Sequence, residues 1–93
     1  MSDFKSRQLS LMMHKISSFR RGILDLNRLI QQLEGLARAV GDDFWNDYIF
    51  NIVADLEGIN SELIDKDRKA TFFELEEIDR LIRSLEDTLQ NES

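Results

Sequence analysis

The sequence contains no cysteine and no proline. Without cysteine there can be no disulfide, no thiolate metal site and no cysteine nucleophile, and nothing in the chain calls for an oxidising compartment. Without proline, and with only four glycines, the chain carries little turn punctuation. His14 is the single histidine; triads and metal centres need several converging groups, so His14 reads as structural or exposed. A glycine-rich phosphate loop is missing, and strand-like alternation is not sustained anywhere. No apolar run approaches the roughly 20 residues that span a bilayer. The opening Met1-Ser2-Asp3-Phe4-Lys5 lacks the apolar stretch of a signal peptide. The expectation is a cytoplasmic protein with no membrane partner.

At 93 residues the chain is read as one domain over 1–93. A domain of this size buries roughly 60–70% of its unfolded surface, enough for one core but not for a deep catalytic cavity besides. Acid–base catalysis needs carboxylates in different environments, one of them desolvated. The pairs Asp42–Asp43, Asp65–Asp67, Glu76–Glu77 and Glu86–Asp87 fall instead in loops or on expected exposed faces. The Asp65-Lys66-Asp67 start of a calcium loop fails at once. Lys69 and Ala70 stand where a ligand and the turn glycine belong, and Glu76 lacks companions. No catalytic residue, cofactor or metal is expected, and the chain is read as not an enzyme.

What is present is helix. Ile23, Leu26, Leu29, Ile30, Leu33, Leu36, Ala37 and Val40 repeat at threes and fours, and Gly41 stands where a terminating glycine belongs. Asp42 or Asp43 is then expected to cap a second helix over about 43–64. Its stripe is Trp45, Tyr48, Ile49, Ile52, Val53, Leu56, Ile59 and Leu63, with Gly58 explained by close packing or by an approaching partner. Residues 65–70 read as a charged loop. Thr71 and Glu74 form a capping box before a third helix carrying Leu75, Ile78, Leu81, Ile82, Leu85 and Leu89. Leu9, Met12, Met13, Ile16 and Phe19 suggest a shorter first helix; Arg20-Arg21-Gly22 reads either as a break before the next helix or as a glycine inside one long helix, and the break is favoured because a run over 6–40 would be about 50 Å long. Short connections make neighbouring helices antiparallel. The expected fold is all-α, an antiparallel up-and-down bundle of three long helices plus a shorter N-terminal helix.

The net charge of −6 is uneven. Residues 1–41 hold seven Lys/Arg against three Asp/Glu, or +4; residues 42–93 hold five against fifteen, or −10. The second half therefore repels phosphate backbones and attracts basic surfaces. Lys15, Arg20, Arg21 and Arg28 form only a modest basic cluster, with no base-reading stripe after it, so nucleic acid is not the expected partner. Glu76–Arg80 and Asp79–Arg83 are expected to pair along the last helix. Asp42, Asp43, Asp47, Asp55, Glu57, Glu62, Glu74, Glu77 and Asp87 read as less compensated. Asp47, Asp55 and Glu62 recur on one helix face, and Asp65, Asp67 and Glu74 extend that face around the turn. These six are the candidate partner-binding residues; the competing reading is a plain solvated face. Among the aromatics, Trp45 and Tyr48 are expected in the core, while Phe44 and Phe50 fall off the stripe. Of Phe72 and Phe73, one would staple the helix start and the other lie on the surface.

From Ile23 to Leu89 the pattern resembles the small acidic all-helical immunity proteins of bacterial contact-dependent growth inhibition and polymorphic toxin systems. The resemblance rests on the leucine-rich helix (Leu26, Leu29, Ile30, Leu33, Leu36), Trp45 opening the next helix, the Leu56-Glu57 pair, and the acidic leucine helix from Glu74 to Leu89. The first 22 residues fall outside it. It implies a protein that binds and neutralises a cognate toxin domain, often a basic nuclease, by covering its active site. The alternative is a structural or adaptor bundle acting by self-association or by binding a partner helix. A third possibility is a small regulator touching nucleic acid through Lys15–Arg28.

Overall fold

A computed structural model describes residues 3–92, and they are helical apart from short connections. Helix α1 spans Asp3–Arg20, α2 Leu26–Val40, α3 Asp42–Phe44, α4 Phe50–Asp65 and α5 Phe72–Glu92. A π-helical turn, Trp45–Ile49, joins α3 to α4 without a break. Four rods result: α1, α2, the continuous run over 42–65, and α5. Cross-contacts fix their directions. Lys5 meets Glu92, while Arg20 meets Asp79 and Glu86, so α1 and α5 are antiparallel. Asn60 reaches Asn27, and Arg38 lies over Trp45, so α2 and α4 are antiparallel too. The expected bundle is therefore present. Its first helix is not the short one, however, with 18 residues against 15 in α2.

The helix ends follow local chemistry. After α1, Gly22 (φ 77°) sends its N–H to the Phe19 carbonyl at 3.0 Å and Ile23 donates to Ser18 at 2.9 Å. This is the left-handed double cap that glycine favours. Ile23 is consequently outside α2 and exposed, although it fits the apolar repeat. The helix starts at Leu26 because the Asp25 carboxylate accepts the Arg28 N–H at 2.8 Å. Gly41 (φ 155°, ψ 156°) ends α2 in a conformation open essentially to glycine alone. It is also the N-cap of α3, so neither Asp42 nor Asp43 has the capping role expected of one of them. The capping box is present: Thr71 N–H donates to Glu74 at 2.9 Å and Glu74 N–H to the Thr71 hydroxyl at 3.2 Å.

The core is one cluster that draws on every rod: Leu9, Met12 and Ile16 from α1, Leu29, Ile30, Leu33 and Ala37 from α2, Ile49, Val53 and Leu56 from the long rod, and Ile78, Leu81, Ile82, Leu85 and Leu89 from α5. Among the described residues the buried polar side chain is Asn60, which donates to Asn27 at 3.0 Å and so avoids a desolvation penalty.

The π turn rearranges the aromatics. Phe50 N–H reaches back five residues to the Trp45 carbonyl, inserting a residue relative to the α-helical repeat. Phe44 and Trp45 both turn inward, at 6% and 5% exposure, while Tyr48 is left 47% exposed. The expected placing of Tyr48 inside and Phe44 off the stripe is thus reversed. Gly58 is not explained by close packing, since a Cβ there would meet nothing within 4 Å.

Candidate protein-binding surface

The six residues singled out in the sequence do not act as one set. Asp47 lies on the π turn and Asp55 on mid-α4, both exposed. Glu62 is held by Lys66 at 2.8 Å, and that hydrogen bond, ahead of the pair's charge attraction, lowers its pKa. Glu74 is gripped by both Arg68 Nη atoms, at 2.7 and 2.9 Å. With the Thr71 N–H added to the Arg68 contacts, its carboxyl falls to about 2. Glu74 is therefore an anchor of the α4–α5 connection, and Glu62 is a paired charge at the end of α4. Asp65 and Asp67 are exposed and form no ion pair among the described residues. At 1.5 Å per residue, Asp47 and Glu62 are about 22 Å apart along the rod, so the face is long and its two ends differ.

Other expected pairings shift. Arg80 pairs with Glu77 rather than Glu76, while Asp79–Arg83 forms as expected at 2.6 Å. Glu77 is thereby compensated. Arg80 also feels the field of Asp55, which helps to raise its pKa behind the larger effect of Glu77. Within the basic cluster Arg20 is consumed by Asp79 and Glu86, both at 2.9 Å.

A feature only half visible in the sequence sits beside Asp65 and Asp67. Ile64, Phe72, Phe73 and Leu75 are 60%, 70%, 81% and 56% exposed. All lie in the last turn of α4 or the first turn of α5. The two phenylalanine rings meet edge to face, centroids 6.3 Å apart. Neither Phe72 nor Phe73 tucks under the helix start, as one of them was expected to, and Leu75 drops out of the α5 stripe. The reason is geometric. Arg20, the last residue of α1, contacts Asp79 and Glu86, so residues 72–75 lie about 6–10 Å beyond that level at 1.5 Å per residue. Helix α1 therefore does not reach far enough to cover them. A shallow depression of about 530 Å³ adjoins, lined by Leu63, Ile64, Asp67, Arg68 and Lys69.

This end of the hairpin combines an apolar tip with the carboxylates of Asp65, Asp67 and Glu76, which form no ion pair among the described residues. Apolar side chains grouped in this way mark contact surfaces on soluble domains. Among the described residues, no cluster of three or more His, Asp or Glu could hold a metal, and no helix is long and apolar enough to cross a membrane. His14 is exposed. No protein-family model, curated protein or solved structure matches the chain.

Proposed function

We propose that this chain is a protein-binding inhibitor of the immunity type, which covers a basic surface of a toxin domain with its α4–α5 hairpin. The observation that carries the reading is the exposed apolar tip, Ile64, Phe72, Phe73 and Leu75, flanked by the carboxylates of Asp65, Asp67 and Glu76. The aromatic rings supply buried contact area once a partner closes over them. The carboxylates, with Asp47 and Asp55 further along the rod, supply a field that speeds encounter with a basic partner. Two copies meeting tip to tip would bring the same negative rim against itself, which favours a basic partner over self-association.

The test is titration against a panel of basic toxin domains, with inhibition and binding kinetics read together. Phe72→Ser with Phe73→Ser should weaken the matching complex by about thirtyfold or more, the size expected of contact anchors. Charge reversal at Asp47, Asp55 and Asp65 should mainly slow association and lessen its salt dependence. Normal inhibition by both sets of variants would refute the proposed surface.

A further inference from the structure

A second surface lies on the other flank of α4, against α2. A groove of about 250 Å³ is lined by Glu34, Arg38, Trp45, Phe50, Ala54 and Glu57. Phe50 is 48% exposed, and its ring meets Trp45 edge to face at 5.7 Å. The groove already shows which chemistry it favours. The Arg38 guanidinium sits 5.0 Å from the centre of the Trp45 ring, and its Nε donates to Glu34 at 2.9 Å. An aromatic face plus a carboxylate therefore holds a planar cation here, from within the same chain. Glu57 repeats the carboxylate on the opposite wall, is exposed, and pairs with no cation among the described residues. Glu34, Arg38 and Glu57, the charged groups of the groove, sum to −1, leaving it one positive charge short.

We propose that this groove receives one arginine side chain of a protein partner. Its apolar stem would lie on Phe50 and Ala54, as long cationic side chains do on apolar surfaces. Its guanidinium would pair with Glu57, beside the Arg38–Trp45 contact. A guanidinium suits the site better than an ammonium, because it can stack on Phe50 while presenting its planar fork to the carboxylate. The proposal rests on the reading above only in supposing a protein partner. Its test needs no toxin, so the two can fail separately.

The probe is a capped Gly-Arg-Gly tripeptide, with Gly-citrulline-Gly and Gly-Lys-Gly as comparisons, followed by amide and indole NMR shifts of the full chain. Arginine should move the resonances of Trp45, Phe50, Ala54 and Glu57 saturably. The affinity is weak, on the order of millimolar, because one side chain supplies few contacts. Citrulline, isosteric but uncharged, should leave them in place. Glu57→Gln should weaken arginine binding about three- to fivefold, the worth of a partly exposed ion pair, with thermal unfolding checked to confirm an intact fold. Shifts confined to other faces, an equal response to citrulline, or unchanged affinity in Glu57→Gln would each overturn the site. An equal response to lysine would overturn the choice of arginine.

Discussion

The chain holds two pairs of adjacent aromatics, each at the start of a helical run, and they have opposite fates. Phe44 and Trp45 are 6% and 5% exposed; Phe72 and Phe73 are 70% and 81% exposed. Neighbours on an α-helix point about 100° apart, so an adjacent pair normally divides between core and solvent. The first pair avoids division through the π turn that follows it, and through lids from other helices. Lys5 lies 5.6 Å from the Phe44 ring centre and Arg38 lies over Trp45. The second pair has no such cover, because α5 runs past the end of α1. One end of the bundle buries its adjacent pair, with Tyr48 and Phe50 left half exposed beside it, while the other leaves its pair open.

The largest expected effect breaks the first pair. Trp45→Ala removes a buried ring and should cost about 3–5 kcal/mol in denaturant unfolding. Phe73→Ala should stay within about 0.5 kcal/mol, as surface substitutions do. A comparable loss at both positions would mean that the tip is packed, and the contrast between the ends would collapse.

How far the sequence discloses this contrast depends on what each signal measures. Helical periodicity reports the face a residue takes if the helix is regular and covered along its length. It therefore places Leu29, Leu33, Leu56, Ile82 and Leu85 correctly in the core. It misplaces Tyr48, because no residue pattern announces a switch to five-residue hydrogen bonding. Ile23 and Leu75 are misplaced because burial also needs a neighbour at the same height, and height follows from the packing of whole helices. The capping box was legible because both partners are three residues apart. The neutralisation of Glu74 was not, since Arg68 reaches it across the turn. The Arg38–Trp45 contact and the groove beside it needed two helices at once. In the same way, regular helical spacing joins Asp47, Asp55 and Glu62 into one acidic face, but Asp47 lies on the π turn, and the cations Lys66, Arg68 and Arg80 come from the turn and from α5.

The turn that carries the exposed tip offers the next effect. Thr71→Ala removes the capping hydroxyl and should lower stability by about 1 kcal/mol. Glu74 adds a pH signature. Arg68, and then Thr71, depress its carboxyl from 4.5 to about 2, so its contribution is complete above pH 4.5 and fades as pH falls towards 2. In Glu74→Gln that acid-limb loss should shrink, as seen in unfolding midpoints between pH 5 and 2. An unchanged acid limb would mean that Arg68 does not hold the carboxylate in solution, and that the tip's base is looser than its hydrogen bonds indicate.

The smallest effects come from two residues that stand where another would fit better. Asp67 closes α4 in a left-handed conformation, φ 47°, with its N–H donating to Ile64 and that of Arg68 to Leu63. Glycine is the usual occupant of such a position, so Asp67→Gly should stabilise the fold by about 0.5 kcal/mol. Gly58 is the converse: it lies inside α4 with open space around it, so Gly58→Ala should stabilise by about 0.5–1 kcal/mol. Both are read as shifts of the denaturant midpoint at constant slope. Binding separates the two sites. Asp67 belongs to the proposed contact surface, so the stabilised Asp67→Gly variant should associate more slowly with a basic partner. If Asp67→Gly instead stabilises the fold and leaves association unchanged, Asp67 contributes nothing to the field at the tip, and the steering charge must come from Asp65 and the acids further along the rod.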